Sequence, residues 1–404
     1  MKIGLLAYHS AVNFGARLQL LSTFMFLKGN GHQPVIINWI PDDLDCFYSN
    51  MASLQQKQCL DHFSELYWKE TERCYTSEDV ARVIEKEEID SVIIGSDAVA
   101  KIDFPRIVFP CRRIIAYSRP TADCVFPNPF WGDFLKYMKK TIPVAVMSVS
   151  CESSPYERIK REKREAMYQA IKQYKYLSVR DTWTKKMFQY ITFDKIKAPV
   201  TPDPVFAFNH NSSSIIPTKD EIRKKYSLPD KYILLSFIRK SVNQDWINDF
   251  EEIAEKEGYV CISLPISYSN SVYKTKRAIL LPLNPVDWYS LIAYSDGYVG
   301  HNMHPVVISL TNEVPVFSFD NYGITRFWGL KTDGSSSKVF HLLKKAGLEN
   351  NRVSCVGRHC DIPEPKVVLN KLMSFDRKQT KNFAQSYYAE YQKMMHDILE
   401  AVKQ

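Results

Sequence analysis

Two histidines and an amide side chain lie within four consecutive residues, His301, Asn302, Met303 and His304. The apolar residues before them predict a helix and a short strand, and Pro305 with the apolar run after it predicts a second helix. A histidine of ordinary pKa exchanges a proton near neutral pH, and a helix N-terminus attracts anions. His304 is therefore a candidate catalytic acid or base, with His301 and Asn302 as candidate substrate-binding residues. The alternative is that His304 caps its helix or fills a gap in the core.

A basic side chain is expected at the end of a neighbouring strand. Residues 232–237 are typical of a buried strand, and Arg239 follows them. The planar guanidinium group of arginine binds carboxylate or phosphate through two parallel hydrogen bonds. Arg239 is therefore the second candidate catalytic residue, as a clamp for an anionic substrate. The alternative is an arginine that faces solvent and has no ligand.

The predicted first strand, at residues 3–8, leads into a helix through Asn13, Phe14 and Gly15. Glycine permits a ligand to approach the backbone closely, and the amide of Asn13 can donate a hydrogen bond. These three residues are therefore candidate substrate-binding residues, although Asn13 is equally suited to cap the helix. The dinucleotide fingerprint G-x-G-x-x-G is absent from this position.

Four more polar residues follow predicted strands in the first half of the chain. Ser96 and Asp97 follow one short apolar strand, Ser150 follows another, and Arg180 follows a third. Ligands of open α/β sheets bind at the carboxyl ends of strands, so these four are also candidate substrate-binding residues. Arg180 and the adjacent Asp181 are equally compatible with a structural ion pair.

The elements that position these residues alternate between strands and helices along 404 residues. The alternation predicts an α/β fold, and the length suits two domains. Two prolines near residue 205 restrict the chain and mark the predicted boundary. We therefore predict one Rossmann-like domain over residues 1–205, completed by an amphipathic helix at residues 379–404. A second Rossmann-like domain, over residues 206–378, is expected to face the first across a cleft.

The composition excludes several kinds of site. The nine cysteines are odd in number and scattered, without a C-x-x-C pair, so neither a disulfide framework nor a metal site is predicted. No cofactor is expected. No apolar run approaches the roughly 20 residues that span a bilayer. The first apolar segment is too short for a signal peptide, so a cytoplasmic location is expected.

The formal net charge of +8 is compatible with a nucleic acid, an anionic membrane surface or a phosphorylated substrate. The densest basic run, at residues 158–164, contains Glu162 and continues into an amphipathic helix. A solvated helix face explains this run better than a nucleic-acid patch, so no nucleic-acid partner is predicted. Peripheral contact with an anionic surface at the inner face of the membrane stays open.

Taken in order, these motifs resemble the polysaccharide pyruvyl transferase family. The matching segments are Asn-Phe-Gly-Ala-Arg-Leu-Gln at residues 13–19, Gly-Ser-Asp at 95–97, Ser-Val-Arg-Asp at 178–181, the residues around His304, and the loop at 321–326. The chain departs from the family at Ala98 and Ala100, where the family has Gln and Trp, and at Pro305, where it has Gly.

The resemblance implies a GT-B-like fold and an enzyme of polysaccharide or exopolysaccharide synthesis. Such an enzyme moves a pyruvyl group from phosphoenolpyruvate onto two hydroxyls of a sugar as a cyclic ketal. His304 would be the acid or base, and Arg239 matches the position of a functional arginine of the family. The acceptor would be a nucleotide-linked or lipid-linked sugar bound by the first domain, and the donor would be bound by the second.

Two other functions remain compatible with the sequence. A glycosyltransferase would use the same fold with a nucleotide-sugar donor. A non-catalytic relative would bind carbohydrate without turnover, which the departures at Ala98, Ala100 and Pro305 favour.

Overall fold

The computed structural model describes residues 1–111, 114–326, 331–357 and 360–403. The first half of the chain alternates strands with helices, as the sequence predicts. In chain order its elements are β1 (Lys2–Leu6), α1 (Phe14–Gly29), β2 (Gln33–Ile36), α2 (Asp42–Ser49), α3 (Leu54–Tyr67), α4 (Ser77–Lys86), β3 (Ser91–Asp97), β4 (Arg106–Cys111), β5 (Ile114–Ser118), β6 (Val144–Val149), α5 (Arg161–Ile171), β7 (Tyr176–Val179) and α6 (Thr182–Ile191). Five strands form a parallel sheet in the order β2-β1-β3-β6-β7, and β4 pairs with β5 as a separate antiparallel hairpin.

The second half of the chain repeats the alternation. In chain order its elements are α7 (Phe208–Asn211), α8 (Lys219–Tyr226), β8 (Tyr232–Ser236), α9 (Gln244–Lys256), β9 (Val260–Ser263), β10 (Arg277–Ala278), α10 (Pro285–Ala293), β11 (Gly297–Gly300), α11 (Met303–Thr311), β12 (Val316–Asp320), β13 (Ile324–Arg326), β14 (Lys331–Asp333), α12 (Lys338–Lys345), β15 (Arg352–Ser354), α13 (Pro365–Met373) and α14 (Arg377–Val402). Six strands form a second parallel sheet in the order β10-β9-β8-β11-β12-β15, and β13 pairs antiparallel with β14.

Local sequence explains where these elements lie. Parallel strands that helices cover on both faces are nearly continuous apolar runs, and every residue of β8 and of β12 is buried. Side chains that cap helices fix where they begin. Asn13 accepts the N–H groups of Gly15 and Ala16 at the start of α1, and Thr76 with Asp79 forms a capping box at α4.

The two sheets belong to two domains that share one apolar core. Phe14, at the start of α1, packs against Trp288 of α10 with ring centroids 5.1 Å apart. The buried amide of Gln56 in α3 donates to the carbonyl of Leu283 at 2.9 Å and accepts its N–H at 2.7 Å. Because a buried amide is costly when unpaired, these contacts hold the two sheets in one relative position.

Helix α14 returns to the first domain after the second domain is complete. It contacts β6 and β7 of the first sheet. Tyr387 of α14 packs edge-on against Phe206, with ring centroids 4.6 Å apart. The domain bounds that we predict, residues 1–205 with 379–404 and residues 206–378, stay a prediction, and the last residue lies outside the described part of the chain.

Candidate active site

A cavity of about 660 Å³ lies between the two domains. Its walls are built by residues that follow the carboxyl ends of parallel strands in both sheets, where open α/β folds bind ligands. The first domain contributes three acidic side chains, Asp97, Glu152 and Asp181. The second contributes two basic ones, Arg239 and Lys338, and one more, Arg106, comes from the first domain. The cavity therefore suits a ligand with an anionic part toward the second domain and hydroxyl groups toward the first.

Most of the predicted site residues line this cavity. Those that do are Asn13, Phe14, Asp97, Arg239, His301, Asn302 and His304. Four predicted residues, Gly15, Ser96, Ser150 and Arg180, do not line it. The structure thus brings predicted residues of the first domain together with predicted residues of the second, although the two groups lie far apart in the sequence.

His304 lies in the first turn of α11, in the wall of the cavity. It does not cap the helix, because the N-cap residue is Asn302. Its ring packs so closely against Gly15 of α1 that a Cβ atom at residue 15 would overlap it. We predict from the sequence that Gly15 admits a ligand to the backbone, but the group that it admits is this ring. The Nε2 atom of His304 is buried and has no hydrogen-bond partner in the described part of the chain, so its hydrogen-bonding capacity is unused.

Asp203, in the segment between the domains, lies beside His304, with Oδ2 3.8 Å from Nε2. The same carboxylate accepts from Gln19 of α1 at 2.6 Å and from Arg180 at 2.8 Å. Burial lowers the pKa of His304 below its ordinary value, although Asp203 and Asp97 oppose the shift. The imidazole is therefore neutral at neutral pH, and two carboxylates are positioned to stabilise the imidazolium when it forms.

The hydroxyls of Ser96 and Ser150 are buried and already paired. Ser96 donates to the carbonyl of Ser148 at 2.7 Å, and Ser150 donates to the carboxylate of Asp181 at 3.0 Å. We predict both as substrate-binding residues, but in this structure neither reaches the cavity. A buried hydroxyl needs a partner, and here the neighbouring strands supply one.

Arg180 belongs to a structural ion-pair network and does not reach the cavity. Its guanidinium donates to Asp203 at 2.8 Å and lies 3.5 Å from Asp97. The adjacent Asp181 instead caps α6. Burial alone would lower the pKa of Arg180, but the surrounding carboxylates raise it above its ordinary value. Because buried charges must be paired, Arg180 fixes the carboxylates that face His304.

His301 lines the cavity, but both of its ring nitrogens are occupied. Nδ1 accepts from the N–H of Ile238 at 3.2 Å, so Nε2 carries the proton and donates to Ser241 at 2.7 Å. His301 thus fixes the loop that carries Arg239, in place of the predicted contact with substrate. The Arg239 side chain is exposed in the cavity and forms no ion pair with a described residue.

The neutral state of His301 predicts that the protein loses stability in mild acid. Burial and the nearby Arg239 charge lower the pKa of His301 from 6.5 to about 3. The unfolded state therefore binds the proton first as pH falls. Between pH 6.5 and pH 3 this residue should cost the folded state about 1.4 kcal/mol for each pH unit.

Urea unfolding at about pH 7.5 and about pH 5 measures this loss. His301→Asn keeps an acceptor for the N–H of Ile238 but cannot take up a proton. Its free energy of unfolding should therefore fall less over the same interval, while the other histidines contribute equally to both proteins. The same fall in both proteins would show that His301 is not the group responsible.

The sequence does not identify two charged residues of the cavity, Lys338 and Glu152. The buried residue Lys338 is the first of α12, and its Nζ lies 4.4 Å from the centre of the Tyr322 ring without an ion pair to a described residue. Burial alone would raise the pKa of Glu152, but Lys338 and Lys101 bring it down to about 2. A lysine that opens an amphipathic helix resembles a solvated residue, so the sequence offers no signal for this role.

Two side-chain amides lie at helix starts in the cavity wall, where they can form hydrogen bonds with a ligand. The Asn13 side-chain oxygen caps α1, which is the alternative role that the sequence allows, while its amide nitrogen has no partner among the described residues. Asn302 precedes α11 without capping it through its side chain. Phe14 and Trp288 line the same cavity and pack against each other as an aromatic wall. Amides and aromatic faces of this kind suit the hydroxyls and ring faces of a sugar.

One family model covers residues from both domains that line this cavity. The family model for polysaccharide pyruvyl transferases matches residues 13–322, from Asn13 at one wall of the cavity, through His304, to the loop at Tyr322. The chain belongs to the polysaccharide pyruvyl transferase family. No curated protein is similar enough to this chain to count as a match. In this member of the family, His304, Asp97 and Arg239 share one cavity.

Solved structures with little sequence similarity share the fold of this pyruvyl transferase family member. One is the UDP-N-acetylglucosamine 2-epimerase from Rickettsia bellii, at 10% identity over 100% of this chain and 97% of that chain, with a TM-score of 0.53. Another is a ugt transferase from Siraitia grosvenorii in complex with UDP, at 12% identity over 99% of each chain, with a TM-score of 0.52. At such identities the likeness shows the fold alone. The predicted α/β architecture, two Rossmann-like domains in a GT-B-like arrangement, is confirmed.

Proposed function

We propose that this protein transfers a pyruvyl group from phosphoenolpyruvate to two hydroxyls of a sugar, forming a cyclic ketal. The observation that carries the proposal is the unpaired Nε2 atom of His304, in the wall of a cavity that also holds Arg239 and Lys338. Phosphoenolpyruvate carries a carboxylate and a phosphate, and two cations on the same side of the cavity suit both groups. We expect the reaction in the cytoplasm and without a cofactor.

The chemistry balances without a further reactant. The terminal carbon of the enol accepts a proton and becomes the methyl group. The central carbon then carries positive charge and bonds to the first sugar hydroxyl. Phosphate departs, and the second hydroxyl closes the ketal on the same carbon. Of the two hydroxyl protons, one ends on the methyl group and one on the phosphate.

His304 is suited to move the proton in this sequence. Burial lowers its pKa, so the neutral ring can take the proton of the first hydroxyl. Asp203 and Asp97 favour the charged ring. The imidazolium can then protonate the enol carbon. Arg239 and Lys338 would meanwhile compensate the negative charge of the donor and of the departing phosphate.

The acceptor would lie toward the first domain. Asn13 offers an amide nitrogen, and the aromatic wall of Phe14 and Trp288 offers a face for a sugar ring. Asp97 and Glu152 are acceptors for sugar hydroxyls on the same side. The carboxylates of the first domain would also repel the anionic donor, so each ligand would have its own side of the cavity.

Phosphate release from phosphoenolpyruvate, measured against a panel of nucleotide-linked and lipid-linked sugars, tests this function. A product heavier than the acceptor by one pyruvate less one water would identify the ketal. Release of a nucleotide from a nucleotide sugar, without any need for phosphoenolpyruvate, would support a glycosyltransferase instead. Sugar binding without either reaction would support a carbohydrate-binding relative.

Arg239→Ala should raise the KM for phosphoenolpyruvate, because the exposed guanidinium is a free cation in the cavity. Arg239→Lys should recover only part of the loss, since a point charge lacks the paired geometry of the guanidinium. The matched control is Lys240→Ala, because Lys240 is the next exposed cation and does not line the cavity. Equal KM values for Arg239→Ala and Lys240→Ala would remove Arg239 from the donor site.

A further inference from the structure

The hairpin of β4 and β5 stands apart from both parallel sheets, beside the mouth of the cavity. Its register pairs Arg106 with Ser118 and Ile107 with Tyr117. Directly opposed side chains of a pleated hairpin share one face, and neighbours along a strand lie on opposite faces. Arg106 lines the cavity, so Ile107 and Tyr117 lie on the face that points away from it.

The pair of side chains described on the outer face of this hairpin is apolar and exposed. Ile107 is 63% exposed and Tyr117 is 61% exposed. The sequence between them, residues 108–116, contains two arginines and no acidic residue. Two apolar side chains opposed across a hairpin form a small exposed patch, unlike apolar residues that are scattered singly.

Two arginines lie at or near this hairpin. Arg119 is exposed, and its guanidinium lies 5.9 Å from the centre of the Tyr117 ring. Arg158 lies 4.8 Å from the ring of Phe104, which comes just before the hairpin, and opens the densest basic run of the chain. Neither Arg158 nor the following exposed cation, Lys160, forms an ion pair with a residue that the structure describes. The charge of this surface is therefore available to an anionic partner.

We propose that Ile107, Tyr117, Arg119 and Arg158 form a membrane-docking surface that binds an anionic lipid bilayer. Exposed apolar side chains insert at the bilayer interface, and arginines attract anionic headgroups. No helix in the described part of the chain is long and apolar enough to cross a bilayer, so this surface makes a peripheral contact.

Docking would also select the acceptor. The cavity lies beside the same hairpin, at Arg106, so docking would hold it within the thickness of one two-stranded ribbon of the lipid surface. This step rests on the proposed function. It specifies the acceptor class as a sugar carried on a membrane lipid, with the sugar reaching the cavity while the lipid stays in the bilayer.

Flotation of the full chain with vesicles tests the docking surface. We expect binding to vesicles of phosphatidylcholine with phosphatidylglycerol, and much weaker binding to vesicles of phosphatidylcholine alone or at high salt. The variant with Ile107→Ser and Tyr117→Ser should lose most of the binding. Arg158→Ser should lower the partition coefficient about fivefold, the usual effect of one basic residue near an anionic surface.

The matched control is the variant with Leu54→Ser and Leu66→Ser, because these residues of α3 are 63% and 64% exposed. It should bind vesicles as well as the unchanged chain. The proposal is overturned if the unchanged chain does not bind the anionic vesicles, or if the hairpin variant binds them equally well. Self-association that the hairpin variant abolishes, without vesicle binding, would identify a second copy of the chain as the occupant and overturn the proposal too.

Failure here can be distinguished from failure of the proposed function. Vesicle binding needs no turnover, so intact binding without phosphate release would reject the function and keep the docking surface. Conversely, the hairpin variant should retain turnover on a water-soluble acceptor, since neither Ile107 nor Tyr117 lines the cavity. It should lose turnover on a lipid-linked acceptor in vesicles.

Discussion

His304→Gln is expected to lower the rate of phosphate release from phosphoenolpyruvate about a hundredfold to ten-thousandfold, the usual cost of losing a general acid or base. Glutamine fills similar space beside Gly15 and retains hydrogen-bonding groups, but it cannot exchange a proton. The donor should still bind with little change in affinity, because Arg239 and Lys338 supply the cationic groups. Steady-state rates and a binding titration of phosphoenolpyruvate separate these two effects.

A matched histidine lies outside the cavity. His210 stacks on Tyr388 of α14 at a centroid distance of 3.8 Å, so His210→Gln changes the same chemical group without touching the site. Its rate of phosphate release should equal that of the unchanged protein. A folded His304→Gln variant with the unchanged rate would contradict the mechanism and favour the carbohydrate-binding alternative.

Gly15→Ala should have an effect nearly as large on turnover, although it adds one methyl group in the other domain. The new Cβ atom would overlap the imidazole of His304, so the ring or α1 must move. Forcing an extra methyl group into a packed site typically costs about 1–3 kcal/mol of stability. A displaced ring also loses its position beside Asp203. The activation free energy of turnover should therefore rise by more than the free energy of unfolding falls.

Two comparisons isolate this clash. In a His304→Ala background the ring is gone, and Gly15→Ala should cost little further stability, which a double-mutant cycle measures as coupling between the two sites. Gly29→Ala, at the other end of α1, is the control, since nothing lies within 4 Å of an added Cβ atom there. It should leave turnover unchanged. Additive losses in the cycle would mean that Gly15 acts on something other than His304.

The sequence predicts the secondary structure well where apolar periodicity is strong. Helix α14 begins two residues before the predicted start at residue 379. The polar and aromatic stretch of residues 42–78 has no clear period, and its helices α2 and α3 are not predictable in detail. The sequence of residues 332–337 predicts a disordered or turn-like segment, but these residues include the end of β14, because a two-stranded ribbon leaves little trace in so short a segment.

The candidate site is predictable to the level of strand ends, but not to the level of which side chains face the cavity. Asp97 reaches the cavity while the preceding Ser96 is buried against Ser148, and Asp97 has a positive φ of 77° that no strand pattern predicts. The partner of Arg180 proves to be Asp203 rather than the adjacent Asp181. Contacts of this kind depend on how distant segments pack, which no local pattern contains.

The return of α14 to the first sheet affects how the chain folds during its synthesis. Tyr391 and Met394 of this helix belong to the shared apolar core, yet they follow the whole second domain in the sequence. During synthesis the first domain emerges early, but β6 and β7 stay without this covering helix until the second domain has also left the ribosome. The nascent first domain therefore exposes apolar surface for as long as the second takes to be made, and this interval is when a chaperone would protect it best.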